Sequence, residues 1–173
     1  RAHPVGVVEP VAGPWPRAPR PDAPGGHQTA RLLPDGKVLV AGGVTSGMGN
    51  RSELYDPETD TWRYTKGSMT GSRSDHAAIM LPTGKVLVAT GENVNSTELY
   101  DPATRSWSFT GSMAAPHHSA PGVLLASGKV LIVGGANNSD TPLTSAQVYD
   151  PATNSWSSAA SLSVARVAPS AIL

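Results

Sequence analysis

Gly36-Lys37-Val38-Leu39-Val40-Ala41-Gly42-Gly43 is an apolar, β-branched run between glycines, and closely similar runs occur twice more in the chain of 173 residues. The second run spans residues 84–91 and the third spans residues 128–135, so the runs begin 48 and 44 residues apart. A short β-branched run that ends at glycine is typical of a buried strand. Repetition with a period of about 45 residues indicates an array of similar structural units.

A second block recurs in phase with the first. In each copy a tyrosine precedes Asp-Pro, and a tryptophan follows that tyrosine after seven positions: Tyr55/Trp62, Tyr100/Trp107 and Tyr149/Trp156. Asp-Pro marks one tight turn, and a turn sequence that ends in glycine before each apolar run marks another. The two blocks together predict four short antiparallel strands in each unit, named a to d in chain order, and no helix.

The diglycine after a β-run, followed by the tyrosine and the tryptophan, resembles the kelch motif over residues 27–166. The resemblance implies an all-β fold, a kelch-type β-propeller in which each unit is one four-stranded antiparallel blade, as in the propeller of galactose-oxidase-like proteins. Two positions depart from the pattern. Thr90 replaces the first glycine in the second copy, and Ser158 replaces the aromatic residue of strand d in the third.

The repeat divides the chain into three complete blades and two flanks. The predicted blades span residues 27–72, 73–116 and 117–165. Residues 1–26 are predicted to supply strands c and d of a partial blade, and residues 166–173 strand a of the next or shared blade. Either the flanks meet in an incomplete fourth blade, or the chain is a piece of a larger ring, or two chains share a ring. Kelch rings commonly have six or seven blades, which favours the last two alternatives.

Composition argues against several classes of function. Charged residues make up 15% of the chain, with 13 basic and 13 acidic side chains, so the sequence predicts neither a nucleic-acid partner nor a membrane partner. No apolar run approaches the length of a transmembrane helix, and the absence of cysteine excludes disulfides and thiolate metal sites. The chain begins with Arg1, which indicates a removed targeting segment or a longer parent chain. This start and the kelch resemblance favour a secreted protein, although the sequence does not identify the compartment.

The variable segments of the repeat are the predicted binding face. Strands of a meander alternate in direction, so the b-to-c loops and the d-to-a connections lie on one face, and variable loops on a rigid scaffold commonly carry function. The alternative is that their asparagine and glycine residues only form turns. The candidate residues for contact with a protein or glycan partner are Met48, Asn50, Arg51, Arg73, Asn93, Asn95, Asn137, Asn138 and Asp140.

Three histidines are interpreted as recurring in phase at the start of strand a: His27, His76 and His118. Imidazole groups around a channel could bind Zn, Cu or Ni. The distance across a channel and the lack of closely spaced ligands argue against such a site. The kelch resemblance gives Arg73 and His76 a different role, which is hydrogen bonding between strand ends. We therefore predict no metal and no cofactor.

An enzymatic function is the less favoured alternative. Galactose-oxidase-like copper enzymes use a cysteine-modified tyrosine, and this chain has no cysteine. A non-copper kelch enzyme would need an acid and a base at the channel mouth. The candidates for that site are Glu53, Glu98, Asp75 and Arg73, although Gln147 replaces the two glutamates in the third copy. The sequence contains no catalytic triad, phosphate loop or HExxH motif.

The nine aromatic residues all belong to the repeat and are predicted to pack between blades, which leaves no ring in the loops to stack on a sugar. The sequence therefore predicts a binding or scaffold module that contacts a protein or glycan partner through its b-to-c and d-to-a loops. A further alternative is self-assembly, in which exposed blade edges join a second copy or the rest of a larger propeller.

Overall fold

The computed structural model describes residues 26–44 and 49–168, which form twelve β-strands and no helix. The strands are β1 (Thr29–Leu32), β2 (Val38–Ala41), β3 (Ser52–Asp56), β4 (Thr61–Tyr64), β5 (Ala77–Met80), β6 (Val86–Ala89), β7 (Ser96–Asp101), β8 (Ser106–Ser112), β9 (Gly122–Leu124), β10 (Val130–Val133), β11 (Ala146–Asp150) and β12 (Ser155–Ala159). No helix that could cross a membrane occurs in this part of the chain.

The strands form three antiparallel sheets, each built from four consecutive strands in chain order. We name them blade 1 (β1–β4), blade 2 (β5–β8) and blade 3 (β9–β12). The first strand of blade 2 contacts the first strands of both other blades, and the fourth strands of blades 2 and 3 also contact each other. The blades therefore stack side by side in chain order. The prediction of an all-β fold with three four-stranded antiparallel blades is confirmed.

The predicted flanking strands fall largely outside the described residues. The proposed strands c and d of residues 1–26 and most of the proposed strand a of residues 166–173 stay predictions. Of the second flank, Arg166 forms a backbone bridge to Leu143. This bridge holds the segment that follows blade 3 against the b-to-c loop of that blade.

Tight turns define one side of the blades, which we name the turn face. In the a-to-b turn of blade 1 the backbone N–H of Leu33 donates to the carbonyl of Lys37 (2.8 Å), and an equivalent bond recurs in the other blades. In the c-to-d turn the Asp56 carboxylate accepts the backbone N–H of Glu58 (3.1 Å), as Asp-Pro predicts. In every blade a lysine of the first turn binds the aspartate of the second. The pairs are Lys37–Asp56, Lys85–Asp101 and Lys129–Asp150.

Alternate residues of each blade face the preceding and the following blade. Leu39 and Leu54 of blade 1 pack against Val86, Val88 and Tyr100 of blade 2, and these three side chains of blade 2 are 0% exposed. The second interface repeats the first with equivalent residues. They are Leu87 and Leu99 of blade 2 and Val130, Ile132 and Tyr149 of blade 3. The hydrophobic core is therefore divided between two blade interfaces.

The repeated tryptophans join neighbouring blades. Trp107 of blade 2 donates its Nε1–H to Ser52 Oγ of blade 1 (2.8 Å), and Trp156 makes the equivalent bond from blade 3 to blade 2 (3.2 Å). Two other aromatic residues contradict the expectation that all of them pack between blades. Tyr64 and Phe109, on the fourth strands, are 39% and 61% exposed. The aromatic repeat is thus only partly explained by packing.

The diglycine allows consecutive blades to approach closely. Gly42 has a φ of +70°, and a Cβ there would lie 2.5 Å from the carbonyl oxygen of Arg73; Gly43 N–H donates to that carbonyl (2.7 Å). In blade 2, Thr90 takes this position with a φ of 68°. The equivalent backbone bond from Gly91 to blade 3 is absent from the described residues. Thr90 Oγ1 instead accepts a backbone N–H of β5 (3.1 Å), which offsets part of the strain.

The outer sides of blades 1 and 3 have no neighbouring blade among the described residues. Apolar residues on these outer sides are only half-buried, and all of them except Val148, whose equivalent Leu99 is also half-buried, correspond to fully buried residues of blade 2. We name these sets the start face and the end face. The start face consists of Val38, Val40 and Tyr55, and the end face consists of Leu131, Val133 and Val148. Each is an apolar surface of the kind that elsewhere in the molecule packs against another blade.

Candidate binding face

The b-to-c loops and the connections between blades form one side of the molecule, which we name the loop face. It comprises residues 42–44, 49–51, 90–95 and 134–145 within blades and residues 65–76 and 113–121 between blades. Backbone hydrogen bonds tie the two sets together. Arg73 N–H donates to the carbonyl of Gly49 (3.0 Å), for example, and His118 N–H donates to the carbonyl of Ala136 (3.0 Å). Segments that the sequence assigned to binding therefore also hold the blades in place.

Four residues that precede strand a form a hydrogen-bonded series from blade to blade. Asp75 N–H donates to the carbonyl of His27 (3.3 Å), Ser119 N–H to that of Asp75 (2.9 Å), and Ala168 N–H to that of Ser119 (3.1 Å). All four have a positive φ, between 46° and 62°, which is uncommon for residues other than glycine. The conformation recurs in each blade, so it belongs to the way in which blades join. No sequence signal predicted it, because the four residues differ in type.

The series shows that the three histidines are not equivalent, so the interpretation that they recur in phase is wrong. His27 corresponds to Asp75 and Ser119, at the spacing of 48 and 44 residues that also separates the three glycine-bounded runs. His76 lies one residue after this position in its blade, and His118 lies one residue before it. A ring of equivalent imidazoles is therefore not built by this fold.

Each histidine has its own surroundings. His27 and Asp75 form an exposed pair, with Nδ1 and Oδ1 2.7 Å apart. His118 Nε2 lies 3.2 Å from Asp140 Oδ1. His76 is buried, and desolvation, with a neighbouring guanidinium as the second cause, lowers its pKa to about 4, so its imidazole is neutral at neutral pH. Across residues 26–44 and 49–168, no group of three or more His, Asp and Glu side chains is arranged to hold a metal ion.

Arg73 has a fully buried side chain and anchors the connection between blades 1 and 2. Its guanidinium donates to the carbonyls of Thr90 (3.1 Å) and Ser96 (2.7 Å), to Ser96 Oγ (2.9 Å) and to Glu98 Oε1 (2.8 Å). Glu98 also accepts the backbone N–H of Thr70 (3.0 Å). The prediction that Arg73 contacts a partner is therefore wrong, because no part of its side chain reaches the surface. The hydrogen bonding implied by the kelch resemblance describes it better.

Blade 3 contains a neutral version of the same network. His117, at the position of Arg73, lies with Nδ1 2.9 Å from the carbonyl of Gly134 and with Nε2 3.1 Å from Gln147 Nε2. Gln147 takes the place of Glu98 and accepts the backbone N–H of Ala114 (3.0 Å). Burial lowers the pKa of His117, so a neutral ring with Nδ1 as donor satisfies both contacts. The sequence carried a signal for this exchange, since the arginine and the glutamate change together in the third copy.

The four acid/base candidates for an enzymatic site are not gathered around one opening. Glu98 and Arg73 neutralise each other in the interior, and Glu53 is only 4% exposed. Asp75 is accessible and is paired with His27. The four residues therefore do not place an accessible acid and an accessible base beside the same bound substrate.

The asparagines predicted to bind a partner divide into two groups. Asn50 and Asn95 occupy equivalent positions and donate from Nδ2 to the carbonyls of Met69 (3.2 Å) and Met113 (3.1 Å). Asn137 also has a structural role, because its Oδ1 accepts two backbone N–H groups of its own loop (2.9 and 3.0 Å). Asn137 forms its own turn, as the alternative of turn formation predicts, whereas Asn50 and Asn95 bind the connections between blades.

The remaining described candidates are all exposed on the loop face. Asn93 has a φ of 58°, and the guanidinium of Arg51 lies over the exposed ring of Tyr64, 5.2 Å from its centroid. Asn138 and Asp140 lie at the tip of the longest b-to-c loop, where the Asp140 side chain is 91% exposed. Met48 lies outside the described residues.

A polar cleft of about 280 Å³ lies on the loop face between blades 1 and 2. Its lining residues come from both b-to-c loops and from the connection between the blades. They are Gly43, Val44, Gly49, Ser72, Arg73, Ser74, Glu92 and Asn93. The cleft and the exposed loop tips give this side of the molecule an irregular polar surface, whereas the turn face repeats the same lysine–aspartate pair in every blade.

Comparisons with known proteins agree with this architecture. Two protein-family models, each described as a kelch motif, match residues 27–68 and 118–163. A search of curated protein sequences gives no match. Two solved structures illustrate the structural likeness. The first is described as a novel fungal alcohol oxidase of the AA5 family in complex with copper, and it gives a TM-score of 0.62 at 19% identity, covering 77% of this chain and 30% of that one.

The second solved structure is that of YjhT, with a TM-score of 0.68 at 16% identity, covering 84% of this chain and 54% of that one. This chain therefore spans less than two thirds of the length of either protein. At these identities the likeness shows the fold alone.

Proposed function

The chain belongs to the kelch-repeat family, whose repeats form propeller modules that often mediate protein binding, and from this premise we propose that it binds a protein partner through its loop face. The observation that carries the proposal is the loop of residues 137–142. Residues 138–142 are all exposed, yet Asn137 holds the loop in one shape by accepting two backbone N–H groups. An exposed, preorganised loop loses little conformational entropy on binding.

The partner surface complementary to this face is polar. Asn93, Asn138 and Asp140 offer amide and carboxylate groups, and Arg51 offers a guanidinium beside the Tyr64 ring. Because Val44 is the one exposed large aliphatic side chain in the described b-to-c loops, hydrogen bonds and charge complementarity would provide the specificity. A glycan is the other ligand class that such a surface could take.

We expect Asn138→Ala/Asp140→Ala to lower the affinity for a loop-face ligand about tenfold or more, because two exposed polar contacts are removed. The ligands are selected on the immobilised chain from a displayed peptide library and, in parallel, from a glycan array. Surface plasmon resonance then measures affinity. The matched control is Lys85→Ala/Asp101→Ala, which removes an ion pair from the turn face. Equal affinities of both variants for all selected ligands would contradict the proposal. If only glycans were selected, a glycan would take the place of the proposed protein partner.

The half-buried start and end faces favour a second function, which is closure of the propeller by further blades. The start face is equivalent to the side of blade 2 that packs on blade 1, and the end face is equivalent to the side that packs on blade 3. A start face and an end face are therefore complementary, and a second copy of the chain could supply each of them in a head-to-tail arrangement.

We expect light scattering after size-exclusion chromatography to give the mass of two chains for the native protein and of one chain for Val40→Lys or Leu131→Lys. Each lysine places a charge in one of the two faces, where burial would be costly. Val164→Lys, at an apolar residue that is 59% exposed and belongs to neither face, is the control and should stay dimeric. A native protein that is monomeric at high concentration would contradict assembly from two copies.

A further inference from the structure

The turn face contains a cleft between blades 1 and 2 that no sequence motif marks. Its volume is about 170 Å³. Leu33 and Leu54 of blade 1 and Pro102 of blade 2 give it apolar walls. A wider groove on the same face shares Asp35 and Pro102 with it, so the two depressions are neighbours.

Two arginines line this cleft at positions where the repeat does not require them. Arg63 lies opposite Leu54 in the β3–β4 pair, and both other blades have serine at the equivalent position. Arg105 has a φ of 58° in the c-to-d turn of blade 2, where blade 1 has Asp60 and blade 3 has Asn154. Both departures from the repeat converge on one cleft, so the fold alone does not account for them.

The two guanidinium groups are available to an anion. The acidic residues of the cleft, Asp35 and Asp56, are both held by Lys37 Nζ, at 3.7 and 3.2 Å. No carboxylate of the described residues lies within ion-pair distance of Arg63 or Arg105, and both side chains are exposed. The lining of the cleft thus contains three cations and two carboxylates, which leaves one net positive charge.

Tyr100 adds a buried hydroxyl to the same cleft. It is 0% exposed and lines the cleft, and its Oη has no hydrogen-bond partner among the described residues. In blade 3 the equivalent Tyr149 donates to Asn154 Oδ1 (3.0 Å) and lies 2.5 Å from Thr110 Oγ1. Because Arg105 replaces this asparagine in blade 2, the hydroxyl of Tyr100 is left without an acceptor. Burial raises the pKa of Tyr100 to about 12, so the hydroxyl is a neutral donor.

We propose that this cleft binds the carboxylate of a small organic acid. The two arginines hold the carboxylate oxygens, the hydroxyl of Tyr100 donates to one of them, and the two leucines contact the apolar part of the acid. Guanidinium groups match the planar geometry of a carboxylate. A single negative charge suits the site best, because Asp35 and Asp56 lie close enough to repel a second one. The volume restricts the ligand to a small molecule.

The test is a titration of the full chain with benzoate, followed by calorimetry and by NMR of the leucine methyl groups. We expect saturable binding with shifts at Leu33 and Leu54. Arg105→Asn, which installs the residue of blade 3, should weaken binding about tenfold or more, since a charge-assisted hydrogen bond is lost. Asparagine tolerates a positive φ, and circular dichroism checks that the variant is folded. Arg51→Asn, which removes an exposed arginine from the loop face, is the charge-matched control and should bind benzoate as the native protein does.

Further variants and ligands test which chemical group the cleft recognises and whether this cleft is the binding site. Tyr100→Phe should weaken benzoate binding several-fold, whereas Tyr149→Phe at the second interface should leave it unchanged. Equal affinity for benzyl alcohol or benzylamine would overturn recognition of a carboxylate. Unchanged benzoate affinity in Arg105→Asn, or an equal loss in Arg51→Asn, would overturn the assignment to this cleft. Binding of inorganic phosphate without binding of benzoate would overturn the carboxylate and assign the cleft to a different class of anion.

Discussion

Arg73→Met is expected to lower the free energy of unfolding by about 3–5 kcal/mol, because it leaves the carboxylate of Glu98 buried without its cation. Methionine retains most of the aliphatic volume of the arginine side chain, so the loss comes from charge and hydrogen bonding rather than from a large cavity. The guanidinium also satisfies the carbonyls of Thr90 and Ser96, which would lose their donors. Urea denaturation followed by far-UV circular dichroism measures the change.

Blade 3 supplies the control for this variant. Arg73→His/Glu98→Gln installs in blade 2 the neutral pair that His117 and Gln147 form in blade 3. We expect it to recover most of the lost stability, because the isolated buried charge is gone and a donor to the carbonyl of Thr90 is restored. A double variant no more stable than Arg73→Met would show that the uncompensated charge is not the cause. A loss below about 1 kcal/mol in Arg73→Met would contradict the structural role of the pair.

Gly42→Ala is expected to cost about 2–4 kcal/mol of unfolding free energy, from a positive φ and from a steric contact between blades. The new Cβ would lie 2.5 Å from the carbonyl oxygen of Arg73 and 2.7 Å from the His76 ring. Blades 1 and 2 would then have to separate, with loss of the hydrogen bond from Gly43 N–H to that carbonyl. In blade 2, where Thr90 stands at this position, the equivalent bond is absent from the described residues.

Gly36→Ala separates the two causes of this loss. Gly36 has a φ of +82°, and no atom lies within 4 Å of the position that an alanine Cβ would take there. Alanine at this position therefore carries only the backbone strain, about 1–2 kcal/mol. Urea denaturation of both variants gives the difference that belongs to the contact between blades. If Gly42→Ala and Gly36→Ala lost equal free energy of unfolding, the close approach of the blades would add nothing to the cost of Gly42→Ala.

The strands were predictable because their signals are local. The three glycine-bounded runs contain β2, β6 and β10, and each Asp-Pro marks a c-to-d turn. Which positions are equivalent to each histidine could not be read from the local sequence. Matching His27 to His76 by residue type ignored the 48-residue spacing of the strands, which places His27 opposite Asp75. In a repeat fold the strand spacing sets equivalence, whatever the identity of the side chains.

The candidate site was less predictable, because burial depends on contacts between blades. A surface role for Arg73 followed from its place in a connection, and only the structure shows that the side chain points inward to Glu98. The turn-face cleft was missed for the same reason. Arg63, Tyr100 and Arg105 come from two blades, and each alone looks like an ordinary variation of the repeat. Their common position follows from the stacking of the blades.

The hydrogen-bonded series from His27 to Ala168 joins each blade only to the next, as do the two hydrophobic clusters. The free energy of such an array is approximately a sum of one contribution per blade and one per neighbouring pair. Blade 2 takes part in both pairs of described blades, whereas blades 1 and 3 take part in one pair each. Fraying would therefore begin at the ends of the array, and the amides of β6, in the middle of the central blade, would be the last to exchange with solvent.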